Sequence, residues 1–260
     1  MHTSQATLIT GASNGIGLEL AKLQAQQGAN LVLVARSKDK LNALKNELEA
    51  KHNISVYVVV EDLSDPTSAQ RIFDNTQTHG IAINTLINNA GFGGHGKFAE
   101  RNLNDELNMM QVNMATLTQL THLYLQPMLK ANTGKILNVS STASFIPGPL
   151  QAVYYATKAY VTSFSQALSE ELSDTGVTVS VLCPGAVSTG FVKAANLDGN
   201  DLWKNAKTPA SVAKIAQKGM DQGKLIIFNE KALEFMLNWV TPLLPRRMLL
   251  KISRKTMEIS

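Results

Sequence analysis

Tyr154 and Lys158 stand four residues apart in the run Ala152-Val-Tyr-Tyr-Ala-Thr-Lys158, and Ser141 lies thirteen residues upstream of the tyrosine. On an α-helix, residues i and i+4 project side by side. An ammonium at Lys158 would therefore favour the phenolate of Tyr154 and lower its pKa from about 10. A phenol tuned in that way is a candidate general acid/base at neutral pH. Tyr155 is three residues from the lysine, but only Tyr154 has the Tyr-x-x-x-Lys spacing. Taken alone, the spacing also suits an amphipathic helix with tyrosines packed inward and a solvated lysine.

Such a pair needs a scaffold, and the N-terminal region supplies its signature. Thr7-Leu-Ile-Thr-Gly-Ala-Ser-Asn-Gly-Ile-Gly17 follows a short apolar strand and opens a helical pattern. Gly11, Gly15 and Gly17 allow a tight turn, close approach of backbone to a pyrophosphate, and close packing of helix on sheet, with the helix N-terminus facing the phosphates. The spacing Gly-x-x-x-Gly-x-Gly differs from the commonest dinucleotide fingerprint.

Beyond that motif, β-branched and leucine-rich runs near 7–10, 31–35, 54–60, 84–88, 135–140, 177–183 and 224–228 alternate with segments of helical period near 16–27, 38–51, 66–79, 103–131, 152–174 and 209–221. This alternation predicts an α/β fold, a doubly wound parallel sheet of about seven strands with helices on both faces. No repeat or linker interrupts it, so the reading is one domain over 1–260, with 190–260 forming the substrate side. The 260 residues are 44% hydrophobic, enough for one sizeable core. Cys183 is the lone cysteine, and His2, His52, His79, His95 and His122 show no metal-ligand spacing, so neither an intrachain disulfide nor a metal is expected. The start of the chain shows no charged and apolar leader, and no apolar run approaches 18 residues; a cytoplasmic location is the expectation.

Together these segments resemble the short-chain dehydrogenase/reductase family, through Thr10-Gly-Ala-Ser-Asn-Gly-Ile-Gly17, Asp62-Leu63, Asn88-Asn-Ala-Gly91, Asn113, Ser141, Tyr154 with Lys158, and Pro184-Gly185 with Thr189. Asn88 to Phe98 looks most like the bacterial DltE-like reductases. The resemblance implies hydride transfer between a nicotinamide and a carbonyl or secondary alcohol. By its implication Tyr154 donates the proton, Ser141 hydrogen-bonds the carbonyl oxygen, and Lys158 holds the ribose hydroxyls and biases Tyr154. Asn113, through its backbone carbonyl, keeps a water that links Lys158 to solvent. Gly11, Ser13, Asn14, Gly15, Ile16 and Gly17 form the phosphate loop. Asp62 with Leu63 reaches the adenine, the backbone of Asn89, Ala90 and Gly91 passes the adenosine end, and Pro184, Gly185, Val187 and Thr189 position the nicotinamide amide. Asn88 reads as a sheet-stabilising side chain.

Ala35 stands where NAD-binding members of the family usually carry Asp, and Arg36 follows where NADP-binding members are basic. A guanidinium grips phosphate through paired hydrogen bonds, so NADP(H) is the expected cofactor, with Ser13 and Ser37 assisting. Carbonyl reduction is the expected direction because cells keep this cofactor reduced. Phe92, Phe145, Ile146, Pro147, Leu150 and Phe191 suggest an apolar ketone or aldehyde, although packing roles suit them equally. His95 reads as a solvated loop residue that could line the entrance.

Two rival readings remain. Gly91-Phe-Gly-Gly-His-Gly-Lys97 matches the opening of an NTPase phosphate loop, but Phe98 replaces the Ser or Thr that would bind Mg²⁺. A catalytically idle NADP-binding sensor or scaffold is the other. A homo-oligomer built through the long helices 103–131 and 152–174 is expected from the resemblance alone.

The last segment is different in charge. Residues 241–260 carry Arg246, Arg247, Lys251, Arg254 and Lys255 against Glu258, 5 − 1 = +4, while the whole chain is 24 − 20 = +4. From Arg247 to Ile259 the pattern is a basic amphipathic helix, with Met248, Leu249, Leu250, Ile252, Met257 and Ile259 on one side. Packing on its own subunit or a dimer partner is favoured; contact of 246–258 with an anionic membrane or an acidic carrier protein is the alternative. Nucleic acid is not expected, since no aromatic residues interleave the charges.

Overall fold

A computed structural model describes residues 4–197, 199–200 and 203–258. His2 and Ile259 lie outside the described residues. In chain order the elements are β1 Ser4–Thr10, α1 Gly15–Gln26, β2 Asn30–Ala35, α2 Lys38–Lys51, β3 Val56–Val60, α3 Ser68–Thr78, β4 Ile81–Asn88, α4 Leu103–Met110, α5 Leu117–Ala131, β5 Gly134–Val139, α6 Ala152–Glu171, β6 Val177–Cys183, α7 Phe191–Ala194, α8 Pro209–Asp221, β7 Ile226–Phe228, α9 Lys231–Phe235 and α10 Arg246–Met257. The strands form one parallel sheet in the order β3-β2-β1-β4-β5-β6-β7. The order reverses between β1 and β4, and at such a switch point the loops leaving the strands separate and open a crevice.

Both faces of the sheet are covered, which is why the strands read as continuous apolar runs rather than alternating ones. Successive side chains still point to opposite faces. Ile9, Leu31, Leu33, Ile87 and Leu137 pack with Leu20 of α1, Leu41 and Leu44 of α2, and Val212 and Ala216 of α8. Their neighbours Leu8, Val32, Val34, Leu86 and Ile136 pack with Ile72 of α3 and Leu120, Tyr124 and Met128 of α5. Helix starts follow local chemistry: Asn14 caps α1 by accepting from Gly15 N (2.7 Å), and Thr208 caps α8 ahead of Pro209.

The seven expected strands are present, with β1 and β4 each beginning three residues earlier than the apolar runs indicate, at Ser4 and Ile81. The segment expected as one helix over 103–131 is interrupted. Gln111–Thr116 forms a π-helical turn between α4 and α5, which widens the backbone around Asn113. Hydrophobic period alone does not distinguish a π turn from α. The short α7, α9 and a second π turn at Met236–Val240 likewise leave no distinct period in the sequence.

A polar chain through the buried sheet joins three of its neighbours. Asn88 Nδ2 donates to Thr121 Oγ1 (3.0 Å) and Asn138 Oδ1 (2.9 Å), and Asn138 Nδ2 donates to Ser165 Oγ (2.9 Å). This locks β4 to β5, α5 and α6 just below the sheet's C-terminal edge, in the sheet-stabilising role expected of Asn88. Removing one member strands the others without water. Asn88→Ala is expected to lower unfolding stability by about 1–3 kcal/mol, measured by urea denaturation with unchanged m-value; an unaltered midpoint would show that the chain of bonds contributes nothing.

Candidate active site

Loops leaving the C-terminal ends of the strands enclose a cleft of about 690 Å³. One end is bounded by the β1–α1 turn and the ends of β2 and β3, the other by α6, the 184–191 loop, Trp203 and Met257. Ser141, Tyr154 and Lys158 line its middle together. The turn after β5 and the first half of α6 thus meet at one place.

Tyr154 and Lys158 occupy one face of α6 and are 8% and 5% exposed. Ser141 follows β5 as the cap of a short 3₁₀ turn, Thr142–Phe145, and its Oγ accepts from Ala143 N (3.1 Å). Neighbouring Ser140 is engaged elsewhere, donating to the Lys158 carbonyl (2.9 Å) and bonded to Thr162 Oγ1 (2.7 Å), so it fastens β5 to α6. Lys158 Nζ donates to Val139 O (2.8 Å) and stands 5.9 Å from the Tyr154 ring centroid.

The electrostatics correct the simple expectation from spacing. Burial pushes the Tyr154 phenol above its ordinary value, and the hydrogen bond with Ser141 opposes this without cancelling it. Burial also pulls the Lys158 amine down to about 8. Lys158 does not pull the phenol below 10 in this state. Loss of hydration, which disfavours both charged forms, outweighs the proximity of the ammonium. The ligand-free site therefore holds a neutral phenol at neutral pH.

The Asn113 side chain has a structural task beside the one expected of its backbone carbonyl. Its side chain, in the π turn, donates to Phe92 O (3.0 Å) and Thr157 Oγ1 (3.1 Å) and accepts from Phe92 N (3.1 Å). It thereby clamps the loop after β4 to α6. A side chain at Gly91 would lie 3.0 Å from Asn113 Oδ1 and 3.3 Å from Lys158 Nζ, so only glycine passes there without displacing either group.

At the other end, Gly11, Ser13, Asn14, Gly15 and Ile16 line the cleft, and Gly17 lies beneath it. A Cβ at Gly17 would strike Gly11 O and Asn89 Nδ2, so helix α1 approaches the sheet through bare backbone. Asn89 Nδ2 donates to Thr10 O (2.9 Å) and Gly11 O (3.3 Å), while Thr10 Oγ1 accepts from the N–H groups of Asn89 and Ala90 (both 3.0 Å). The glycine turn and the Asn89-Ala90-Gly91 loop are thus mutually braced. Arg36 is 78% exposed on its side chain, 3.9 Å from the Asp62 carboxylate, at the cleft's rim. Asp62 is held below the usual carboxylate range, chiefly by the Ser64 N–H. Leu63, Pro184, Gly185, Val187 and Thr189 complete the lining. The 184–189 segment is fixed by Thr142 N to Pro184 O (2.9 Å), Gly185 N to Asn229 Oδ1 (3.0 Å) and a bridge between Val187 and Lys207.

Other expectations separate here. Phe92 and Phe191 line the cleft, with Phe191 5.2 Å from the Tyr154 ring. Phe145 instead meets the Phe228 ring at a tilt (5.3 Å between centroids), and Ile146 and Leu150 pack against the cluster that contains Tyr154 and Tyr155. His95 is partly buried, not solvated, and bonds Met257 O through Nε2 (2.7 Å). The Gly91–Lys97 run is no phosphate loop: it enters a 3₁₀ turn rather than a helix, Gly94 is packed against Arg101, and Lys97 pairs with Glu100 (3.0 Å). Gln151, Tyr155, Trp203 and Met257 line the cleft without having been picked from the sequence. Only Gln151 and Tyr155 had a signal, their position within three residues of Tyr154.

The model of the short chain dehydrogenase family matches residues 5–200, and the chain belongs to that family. It is 35% identical over 209 residues to the mouse 17-beta-hydroxysteroid dehydrogenase type 3, covering 78% of this chain and 65% of that protein. It is 34% identical over 194 residues to the mouse very-long-chain 3-oxoacyl-CoA reductase, covering 72% and 60%. The chain therefore spans less than two thirds of the length of these curated relatives. Among solved structures, a short-chain dehydrogenase from Sphingobium yanoikuyae in complex with NADPH superposes with a TM-score of 0.82 at 29% identity, over 93% of this chain and 97% of that one.

The depressed Lys158 value has a consequence for stability. Below about pH 8 the amine is charged in both states, and its burial costs the folded state in full. As pH rises from about 8 towards 10.5 the folded protein loses the proton first, the unfolded chain binds more protons, and stability rises. Denaturation of wild type and Lys158→Met across pH 7–10 is expected to show wild type gaining on the variant as pH increases; parallel curves would contradict a desolvated amine.

Proposed function

We propose that this chain is an NADP(H)-dependent oxidoreductase acting on the carbonyl/secondary alcohol couple, with reduction of an apolar ketone or aldehyde as its working direction. The observation that carries the reading is the meeting of Ser141, Tyr154 and Lys158, all lining one cleft whose far end is a glycine turn at a helix N-terminus. That cleft suits a dinucleotide: the α1 N-terminus faces it, Gly11 and Gly15 line it with bare backbone, and Lys158 supplies a buried cation midway. When bound, the nicotinamide supplies or accepts the hydride. Every other task falls to the chain's own residues.

In this reading the Ser141 hydroxyl and the Tyr154 phenol bind the carbonyl oxygen, and Tyr154 delivers its proton as negative charge develops there. The neutral phenol favoured by burial is the form that reduction requires. Lys158 holds ribose hydroxyls and stabilises the phenolate left behind. Asn113 keeps α6 and the Gly91-Phe92 loop in register, and its π turn frees backbone carbonyls for a water that replenishes the proton. Arg36, with no acidic residue at Ala35, takes the 2′-phosphate.

Phe92, Phe191, Trp203 and Met257 around the catalytic end support an apolar substrate. The names of the steroid and acyl-CoA relatives point the same way. Self-assembly belongs to the same proposal, since Leu103, Leu107 and Met110 of α4 are exposed at helical spacing beside a groove of about 380 Å³ lined by Phe98, Met114 and Val153.

Tyr154→Phe is expected to cut NADPH-dependent reduction of a ketone panel by about 10²–10⁴-fold while NADPH binding, followed by its fluorescence, persists; retained turnover would refute the proton-donor role. Tight NADPH binding by wild type with no turnover of any panel member would favour a sensor. Arg36→Ala is expected to weaken NADPH binding by roughly tenfold or more and NADH binding little, since a hydrogen bond to a charged group contributes about 1.5–3 kcal/mol. Equal losses for the two cofactors would reject the 2′-phosphate assignment.

A further inference from the structure

Between β7 and the C-terminal helix, large apolar side chains face outward. Phe235, Met236, Trp239, Val240 and Leu243 recur at i, i+1, i+4, i+5 and i+8, one face of a helical path through the end of α9 and the π turn. Trp239 is 69% and Leu243 84% exposed, while Leu237 and Thr241 on the opposite face are buried and anchor the segment. Five such residues within nine positions are a strip, not the scattered exposure usual on a surface.

Pro245 then turns the chain into α10. The apolar side expected from its sequence is divided in the structure. Leu249, Ser253 and Met257 face the body of the protein, whereas Met248 and Ile252 join the outer surface with Arg247, Lys251, Arg254 and Lys255. Across 231–258 the charges are Lys231, Arg246, Arg247, Lys251, Arg254 and Lys255 against Glu234 and Glu258, 6 − 2 = +4. Arg254 Nε is paired with Glu258 at 3.2 Å. The chain as a whole is +4, so the excess charge sits beside the apolar strip.

We propose that residues 235–255 form a docking surface for an anionic lipid bilayer, on which the protein rests peripherally. Aromatic and aliphatic side chains flanked by lysine and arginine are the composition that lies in a headgroup layer, the rings at the boundary and the long cationic stems reaching to the phosphates. A second copy is the poorer occupant, because a symmetric contact would set two segments of +4 against each other. Among the described residues no helix is long and apolar enough to cross a membrane, so the contact is with one leaflet. The surface adjoins the cleft, since α10 delivers Met257 to the cleft wall and His95 holds that carbonyl.

The test uses the full chain with vesicles of phosphatidylcholine alone or mixed with phosphatidylglycerol. The protein is expected to pellet with the anionic vesicles, less so at high salt, and Trp239 emission in a Trp203→Phe background is expected to shift to the blue on binding. Lys251→Glu with Lys255→Glu should reduce partitioning by roughly tenfold or more, as each basic residue near the surface is worth about 1 kcal/mol. Trp239→Ser with Leu243→Ser, both at exposed positions, should abolish pelleting while NADPH binding reports an intact fold. Failure to pellet with anionic vesicles overturns the proposal, as does pelleting that survives the Trp239 and Leu243 changes. A lipid-free dimer that those two changes dissolve would assign the strip to a second copy instead and equally overturn it.

Discussion

Removal of Lys158 and Tyr154 from water is the constraint on which the site depends. An amine and a phenol taken out of solvent each resist ionisation, so the pair is poised by shared desolvation and not by simple attraction between opposite charges. That state is unfavourable for folding and is tolerated because α6 is built into the sheet through Ser140, Thr162 and the Asn138–Ser165 bond. Cys183, beside the lysine, is kept a neutral thiol by the same burial, which raises it to about 11.

The surrounding fold reads as the means of holding that arrangement open at one end. The switch between β1 and β4 creates the crevice, and the polar brace of Thr10, Asn89 and Gly11 shapes its floor. Asn113 ties the far wall to α6 from a widened helical turn, where a regular α-helix would leave the backbone carbonyls satisfied within the helix. Stability and chemistry draw on the same few hydrogen bonds, so the site is as rigid as the sheet edge that carries it.

Much of this was legible in the sequence because it rests on local rules. Continuous apolar strands between helical periods imply a parallel sheet covered on both faces, and the order of the Gly11, Asn88, Ser141 and Tyr154 motifs locates the cleft. Other features depend on long-range packing that no local pattern encodes. The π turn at Asn113 has the same hydrophobic period as the helix around it. His95 meets Met257 across 162 positions, and Phe145 turns to Phe228 rather than the cleft. The sign of the Tyr154 shift is not legible for a related reason: spacing reports that two groups are neighbours, but not how much water surrounds them. In α10 the wheel gathered Met248, Leu249 and Ile252 on one side, whereas packing against the cleft selects only the Leu249, Ser253 and Met257 stripe.

The central claim is that the phenol at the heart of the cleft is desolvated and neutral before any ligand arrives. Ultraviolet difference titration of wild type against Tyr154→Phe, in the ligand-free protein, isolates its ionisation most directly. The account predicts that the difference signal emerges only above pH 10, on the high side of an ordinary tyrosine. A phenolate signal centred at or below pH 10 would contradict it, and would mean that Lys158 governs the site by charge rather than both groups by their shared loss of water.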